Sequence, residues 1–264
     1  MHLTVESKCG GKRLKGIAAG VSANPPLVSV VTVVFNGAAE LEPTILSVLA
    51  QGCSDLEYII IDGGSTDETV ALIRKYEDQI DYWLSEPDAG IYDAMNKGIA
   101  SATGEYVLHM NVGDRLLFPP TSELAECLQE KVDVATFRVR LDGGSLHIPK
   151  SPGFMRISNV WHHQGTCYRR KAHLGYDPTY RVFGDFDHNQ RMAKATDSIR
   201  IFDRVIACHE NAGLSSNMKY FEEVFKSIRK NSGWFYLAVA YFGFKIHGLR
   251  RRWASLVRRN KPHS

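Results

Sequence analysis

Ser85–Asp114 reads SEPDAGIYDAMNKGIASATGEYVLHMNVGD, and this stretch decides the fold. Its spacing predicts a strand end, a helix over Ile91–Ala100 entered through Asp88-Ala89-Gly90, a strand over Gly104–Met110, and a loop closing on Asp114. Two acidic loops, at Asp88 and Asp114, therefore fall at the carboxyl ends of two strands, where an open α/β sheet holds its ligands. Carboxylates so placed suit a divalent cation carrying a phosphorylated substrate.

The same rhythm extends toward the N-terminus. Leu27–Phe35 (LVSVVTVVF) is a nearly continuous β-branched run, the signature of a strand buried on both faces. A helix is expected over Ala39–Ala50, then a strand over Leu56–Ile61 that ends at Asp62-Gly63-Gly64. Ser65-Thr66-Asp67-Glu68 has the form of a capping box opening a helix to Tyr76, and Asp81–Ser85 is a short third strand. Alternating strands and helices imply a mostly parallel, helix-covered sheet in a single α/β domain. Residues 1–26, Gly/Lys/Ser-rich and ending in Pro25-Pro26, read as a mobile lead-in. Beyond Asp114 the pattern loosens into strands over Val132–Leu141 and Ile199–Cys208, a hairpin partner over Ser145–Ile148, and helices over Asp185–Ala195 and Met218–Lys230. The expected division is a nucleotide-binding half over 27–118, an acceptor half over 119–216 and a C-terminal extension over 217–264.

At 264 residues and 44% hydrophobic, the chain can bury one large core. Five scattered cysteines without C-x-x-C spacing argue against a disulfide framework or a zinc site and favour a reducing compartment. Residues 1–26 lack the apolar core of a cleavable signal, and no run reaches the roughly 18 to 20 apolar residues of a spanning helix. A cytoplasmic location is expected. From Lys219 onward eleven Lys/Arg face two Glu, giving +9; the overall charge is +3, so the rest carries −6. Within that tail Trp234–Phe244 (WFYLAVAYFGF) is apolar and is followed by Arg250-Arg251-Arg252 and Arg258-Arg259-Asn260-Lys261. Aromatics beside arginines fit a segment, 234–261, lying on an anionic membrane surface. A helix packed on the domain or on a second subunit is the alternative. No recognition module accompanies the charge, so nucleic acid is not an expected partner.

Several residues suit chemistry. Asp62 stands at a strand end before two glycines, where it either accepts a base N–H or simply forms a turn. Asp88 caps the following helix, a role compatible with facing a nucleotide. Asp114 is the candidate metal ligand, because a cation holding a diphosphate needs only one or two protein carboxylates. His163 and Gln164, in WHHQGTCY, suit contact with a sugar, whose hydroxyls and apolar face match polar groups among aromatics. Neighbouring strand residues point to opposite faces, so only one of His162 and His163 is expected to face a site. Asp185 in GDFDHNQRM either removes a proton from a hydroxyl or is a solvated residue at a helix start.

Taken together, SVVTVVFNG, DGGSTDET, SEPDAGIYDAMNKGIASATGEYV, NVGD, HQ and GDFD, in that order over Leu27–Ser216, resemble the inverting glycosyltransferases of family 2, which share the GT-A fold. The central segment is most similar to bacterial exopolysaccharide transferases of the colanic-acid type. The resemblance implies that Val33, Phe35 and Asp62 surround the base and ribose, with Asp88 closing that pocket. It implies Asp114 in the metal motif with Mn2+ or Mg2+, Asp185 as the catalytic base, and His163-Gln164 as a recurrent pair at the substrate. Where the family carries Asp-x-Asp, Asn111 and Gly113 stand here, leaving Asp114 as the lone carboxylate. The Q-x-x-R-W motif of processive synthases is missing, so one sugar per encounter is expected, and docking of the tail on a membrane would bring the site to a lipid-linked glycan acceptor. A non-catalytic binding or scaffold subunit competes with this reading. A nucleotidyltransferase ranks below both, because Asn36-Gly37-Ala38-Ala39-Glu40 replaces a basic Gly-rich loop.

Overall fold

The computed structural model describes residues 7–16, 25–210 and 220–259, with side chains through Phe244 in the last stretch. Its ten-stranded sheet grows from a parallel nucleus. Strand β2 (Val28–Val34) lies between β3 (Leu56–Asp62) and β5 (Tyr106–Asn111), and β4 (Tyr82–Ser85) flanks β3, all four parallel. All seven β2 residues are buried, as its β-branched run predicts for a strand covered on both sides. One face (Val30, Val34) packs on Leu41 and Ile45 of α1 (Ala38–Leu49) and Ile73 of α2 (Thr69–Lys75). The other (Val31, Val33) packs on Tyr92 and Met95 of α3 (Ile91–Ser101).

The second half adds strands by a different rule. After β6 (Arg115–Leu116) and α4 (Thr121–Gln129) comes β7 (Val134–Leu141), with β8 (Leu146–His147) as its expected hairpin partner. Strand β9 (Thr166–Arg169) then inserts antiparallel to both β5 and β7. Helix α5 (Gly184–Ala195) leads to β10 (Ile199–His209), parallel to β7, while β6 closes that edge antiparallel. The sheet is therefore mixed, and two antiparallel steps through β9 leave β5, β7 and β10 pointing the same way. The carboxyl end of β10 consequently reaches the same edge as those of β2, β3 and β5.

Four local expectations are corrected. Within the N-terminal lead-in, β1 (Lys8–Gly10) pairs antiparallel with β4, and Arg13 lies 5.1 Å over the Tyr82 ring. Residues 1–6 and 17–24 of that lead-in lie outside the described residues. The capping box does not form, because Ser65 turns its hydroxyl to Asp62 and helix α2 starts only at Thr69. Helix α4 fills a stretch to which the sequence pattern assigned no element. Finally, α6 (Phe221–Arg259) is broken at Gly233 (φ 85°, ψ 176°), backbone that only glycine adopts without strain. Ring centroids of Phe225 and Tyr241 at 6.2 Å and of Phe221 and Phe244 at 5.6 Å show that the two arms fold back antiparallel. The first arm is part of the domain: Ser227 and Ile228 are fully buried and Asn231 nearly so. The expected domain end at 216 and helix start at Met218 lie outside the described residues, as does Lys261.

Candidate active site

Every residue singled out in the first half sits at or just beyond the carboxyl edge of the parallel nucleus. At the end of β2, Val33 is buried while the Phe35 ring is 63% exposed. Asp62 ends β3 fully buried. Its Oδ2 accepts N–H of Gly64 (3.2 Å) and Ser65 (3.0 Å) and the Ser85 hydroxyl (2.6 Å), and its Oδ1 accepts the Ser65 hydroxyl. Asp62 thus braces the turn that follows β3. Asp88 lies over Gly63, where any Cβ would run into its carboxylate. It is not the cap of α3. The N-cap is Gly90, whose N–H donates to Asp88 Oδ1 at 2.8 Å, so Asp88 shapes the turn instead. Partial burial raises the Asp88 carboxyl above its ordinary range.

The Asn111–Asp114 loop is fastened by α1. The Thr44 hydroxyl donates to the Asp114 carbonyl (2.8 Å) and receives the Gly113 N–H (3.0 Å). Gly113 has φ 91°, a left-handed conformation that glycine adopts without strain. Asp114 is 2% exposed. Gln164 Nε2 donates to its Oδ2, and His209 Nδ1 donates to its Oδ1 at 2.7 Å. That hydrogen bond raises the His209 pKa, favouring imidazolium. Among the described residues no group of three His, Cys, Asp or Glu is placed to hold a metal unaided. Two amide oxygens near the carboxylate, Asn111 Oδ1 and Gln164 Oε1, are buried without a donor. Acceptors left bare beside a carboxylate and an imidazole fit a hard cation whose remaining ligands are phosphate oxygens.

Across the cleft, Asp185 stands in the first turn of α5. Its Oδ1 accepts the Phe186 N–H (2.8 Å), and its Oδ2 accepts Asn159 Nδ2 (2.9 Å) with His163 Nδ1 at 3.5 Å. The other His163 nitrogen, Nε2, meets Asn111 Nδ2 at 2.8 Å, so one imidazole bridges the Asp114 loop and Asp185. His163 and Gln164 lie in a 3-10 turn (His163–Gly165) and not on the following strand. The rings of His162 and His163 consequently stack at 5.4 Å, and the expected opposite-face arrangement is absent. Asp187 is buried and bound to Arg191, Asn231 and Lys230, tying α5 to α6. Lys97 is engaged by Glu86 (2.9 Å) and the Pro87 carbonyl (2.8 Å), so it serves the 86–90 turn. Sequence reasoning missed His209 and Asn159. His209 is the last residue of a strand, a readable position once the direction of β10 is known; Asn159 lies in irregular chain and carried no signal.

A family model described as Glycosyl transferase family 2 matches residues 29–189. An uncharacterized glycosyltransferase of Mycobacterium tuberculosis (strain ATCC 25618 / H37Rv) is 34% identical over 206 residues, covering 73% of this chain and 78% of its own. A PGL/p-HBAD biosynthesis glycosyltransferase of Mycobacterium bovis (strain BCG / Pasteur 1173P2) is 29% identical over 220 residues, covering 77% and 84%. Among solved structures, S. aureus TarS 1-349 superposes with TM-score 0.61 at 17% identity, covering 77% of this chain but only 64% of that one. Mannosyltransferase PcManGT from Pyrobaculum calidifontis, in complex with GDP-Man and Mn2+, gives TM-score 0.61 at 17% identity, covering 82% and 69%. These structural likenesses establish the shared GT-A-type fold. With a family model spanning most of the sheet and a relative 34% identical over most of its length, this chain belongs to glycosyltransferase family 2.

Proposed function

We propose that the protein is a non-processive, inverting glycosyltransferase. It moves one sugar from a nucleoside-diphosphate sugar to a hydroxyl of a lipid-linked glycan in exopolysaccharide or cell-surface glycan synthesis. The observation that supports this reading best is the His163 bridge, which puts Asp185 opposite the Asp114 loop across one cleft. Phe35, exposed just past the end of β2, offers a ring for the base to stack on, and Asp88 offers a half-buried carboxylate whose Oδ1 accepts the Gly90 N–H. Asp114, with the amide oxygens of Asn111 and Gln164 beside it, would hold Mn2+ or Mg2+, which would neutralise the departing diphosphate when bound. Asp185 takes the proton of the acceptor hydroxyl, whose oxygen bonds to the anomeric carbon as the bond to the diphosphate oxygen breaks. Attack from the opposite face inverts that centre.

Two substitutions test the assignment. Asp185→Asn should lower transfer at least about 100-fold while preserving Mn2+-dependent binding of UDP or GDP in calorimetry. Asp114→Ala should abolish that metal-dependent binding. Normal turnover in both folded variants would overturn the reading. A non-catalytic subunit remains the second reading, because both Asp114 oxygens already carry protein donors. Absence of any metal-dependent nucleotide binding in the unmodified protein would select it.

The second arm of α6 fits a peripheral contact with the cytoplasmic face of an anionic membrane. Trp234 and Phe235 are 71% and 73% exposed, and from Trp234 onward the sequence has seven Lys/Arg and no acid. No helix among the described residues is long and apolar enough to cross a membrane. Flotation with phosphatidylglycerol vesicles should recover the full chain and lose a chain ending at Ser232. Equal recovery of the two would remove this contact.

A further inference from the structure

Asp185 is held by a chain of amides whose polarity has one solution. Asn189 lies one turn further along α5 and is fully buried. Its side chain touches the Trp161 carbonyl at 3.0 Å, and a carbonyl only accepts, so the contacting atom is Nδ2. Nδ2 also donates to Asn159 Oδ1 at 2.9 Å, while Asn189 Oδ1 takes the Tyr168 hydroxyl. With its oxygen committed to Asn189, Asn159 has only its NH2 left for Asp185 Oδ2, 2.9 Å away. A main-chain carbonyl thus dictates, two side chains later, that Asp185 meets a donor. A hydrogen bond donated to a carboxylate favours the form able to accept a proton.

The other titratable groups around Asp185 do not supply a fixed charge. His163 faces it from the turn before β9, Tyr92 from α3, Tyr168 from β9 and Tyr176 from the loop ahead of α5. Burial holds the three tyrosines above their ordinary value, so they stay neutral. Asn159 is therefore the donor whose direction the fold sets independently of pH.

We propose that Asn159 is a positioning residue for Asp185: it fixes the carboxylate in one orientation as a proton acceptor, with Oδ1 left to the Phe186 backbone N–H and the incoming hydroxyl. This inference rests on the reading of Asp185 as the base. The test uses the full chain and whichever UDP- or GDP-sugar in a panel raises its melting temperature most, with release of nucleoside diphosphate as the readout. Asn159→Leu removes the donor at similar volume, and the isosteric Asn159→Asp replaces it with a like charge. Both should keep the donor-induced thermal shift and the KM for donor, and both should lower kcat about 10- to 100-fold at neutral pH. The acid limb of the pH–rate profile should move up by about one unit in Asn159→Leu and further in Asn159→Asp. Tyr168→Phe, which loosens the far end of the chain without changing its polarity, should leave that limb in place. An unmoved limb in a folded Asn159 variant, or an equal movement in Tyr168→Phe, would overturn the proposal. Asp185→Asn separates the two failures, since full turnover there would instead remove the base itself.

Discussion

Asp62 and Asp88 flank the Gly63-Gly64 turn, and their burial divides their work. Asp62 accepts four hydrogen bonds in a fully buried site, so an amide there would press an NH2 against donors. Asp62→Asn should therefore cost about 2–3 kcal/mol of stability, read from urea unfolding. Asp88 accepts one protein hydrogen bond and keeps its second oxygen against Gly63, facing the space a nucleotide would fill. Asp88→Asn should weaken nucleotide binding about tenfold in calorimetry and leave the unfolding midpoint near that of the unmodified protein. The reverse pattern, with Asp62 governing affinity and Asp88 stability, would contradict this division. Both positions were legible in the sequence because each stands at or just past a strand end with glycine within two residues, but their separation was not. Burial and bond count are properties of the folded pocket, and DGG and PDAG look equally open as text.

Helix α5 depends on the first arm of α6 for its orientation. The Glu223 carboxylate accepts N–H of Arg181 (2.9 Å), Val182 (3.0 Å) and Phe183 (2.9 Å), the donors just ahead of α5. It does from a distant segment what a local cap would do, since α5 has no side-chain cap of its own. Glu223→Ala should lower stability by about 2 kcal/mol in urea unfolding and reduce turnover with it, because the turn it holds carries Asp185. Chain termination at Ser232 should leave a folded protein by circular dichroism, whereas termination before Phe221 should not. Equal folding of both truncations would show that the first arm is dispensable. This dependence explains what the sequence concealed. Strands β2, β3 and β5 were readable from local β-branched runs, and α5 from its acidic start. Strand β1 has three residues and exists only through pairing with β4, while the reversal of α6 lies in one glycine φ inside an otherwise helical pattern. His209 was hidden for the same reason: its place beside Asp114 follows from β9 inserting antiparallel, a long-range event without a local signature.

Distant parts of the chain meet on a cluster of buried imidazoles. His109 lies on β5 of the parallel nucleus, while His173 follows β9 and His188 lies on α5, with ring centroids 6.2 Å apart for His109–His173 and 4.3 Å for His173–His188. Tyr168 and Tyr176 pack against His173 and His188, Arg191 faces both of these, and His163 faces His109. Both nitrogens of His109 are buried without a hydrogen-bond partner among the described residues, so nothing compensates a proton placed there. Burial, with like charges adding to it, pushes all three below the ordinary value of 6.5, His173 to about 3. The folded chain thus binds fewer protons than the unfolded one below that value, and stability falls as pH drops from about 6.5. Each imidazole contributes a slope of about 1.4 kcal/mol per pH unit there, so three together give about 4. The melting temperature should therefore drop steeply between about pH 6 and pH 5, before most carboxylates titrate. His188→Phe, which keeps a ring among rings, should flatten that slope by about 1.4 kcal/mol per pH unit while lowering stability near neutral pH little. A slope unchanged in His188→Phe would show that the acid sensitivity arises elsewhere, and a flat profile in the unmodified protein would show that the imidazole cluster tolerates charge.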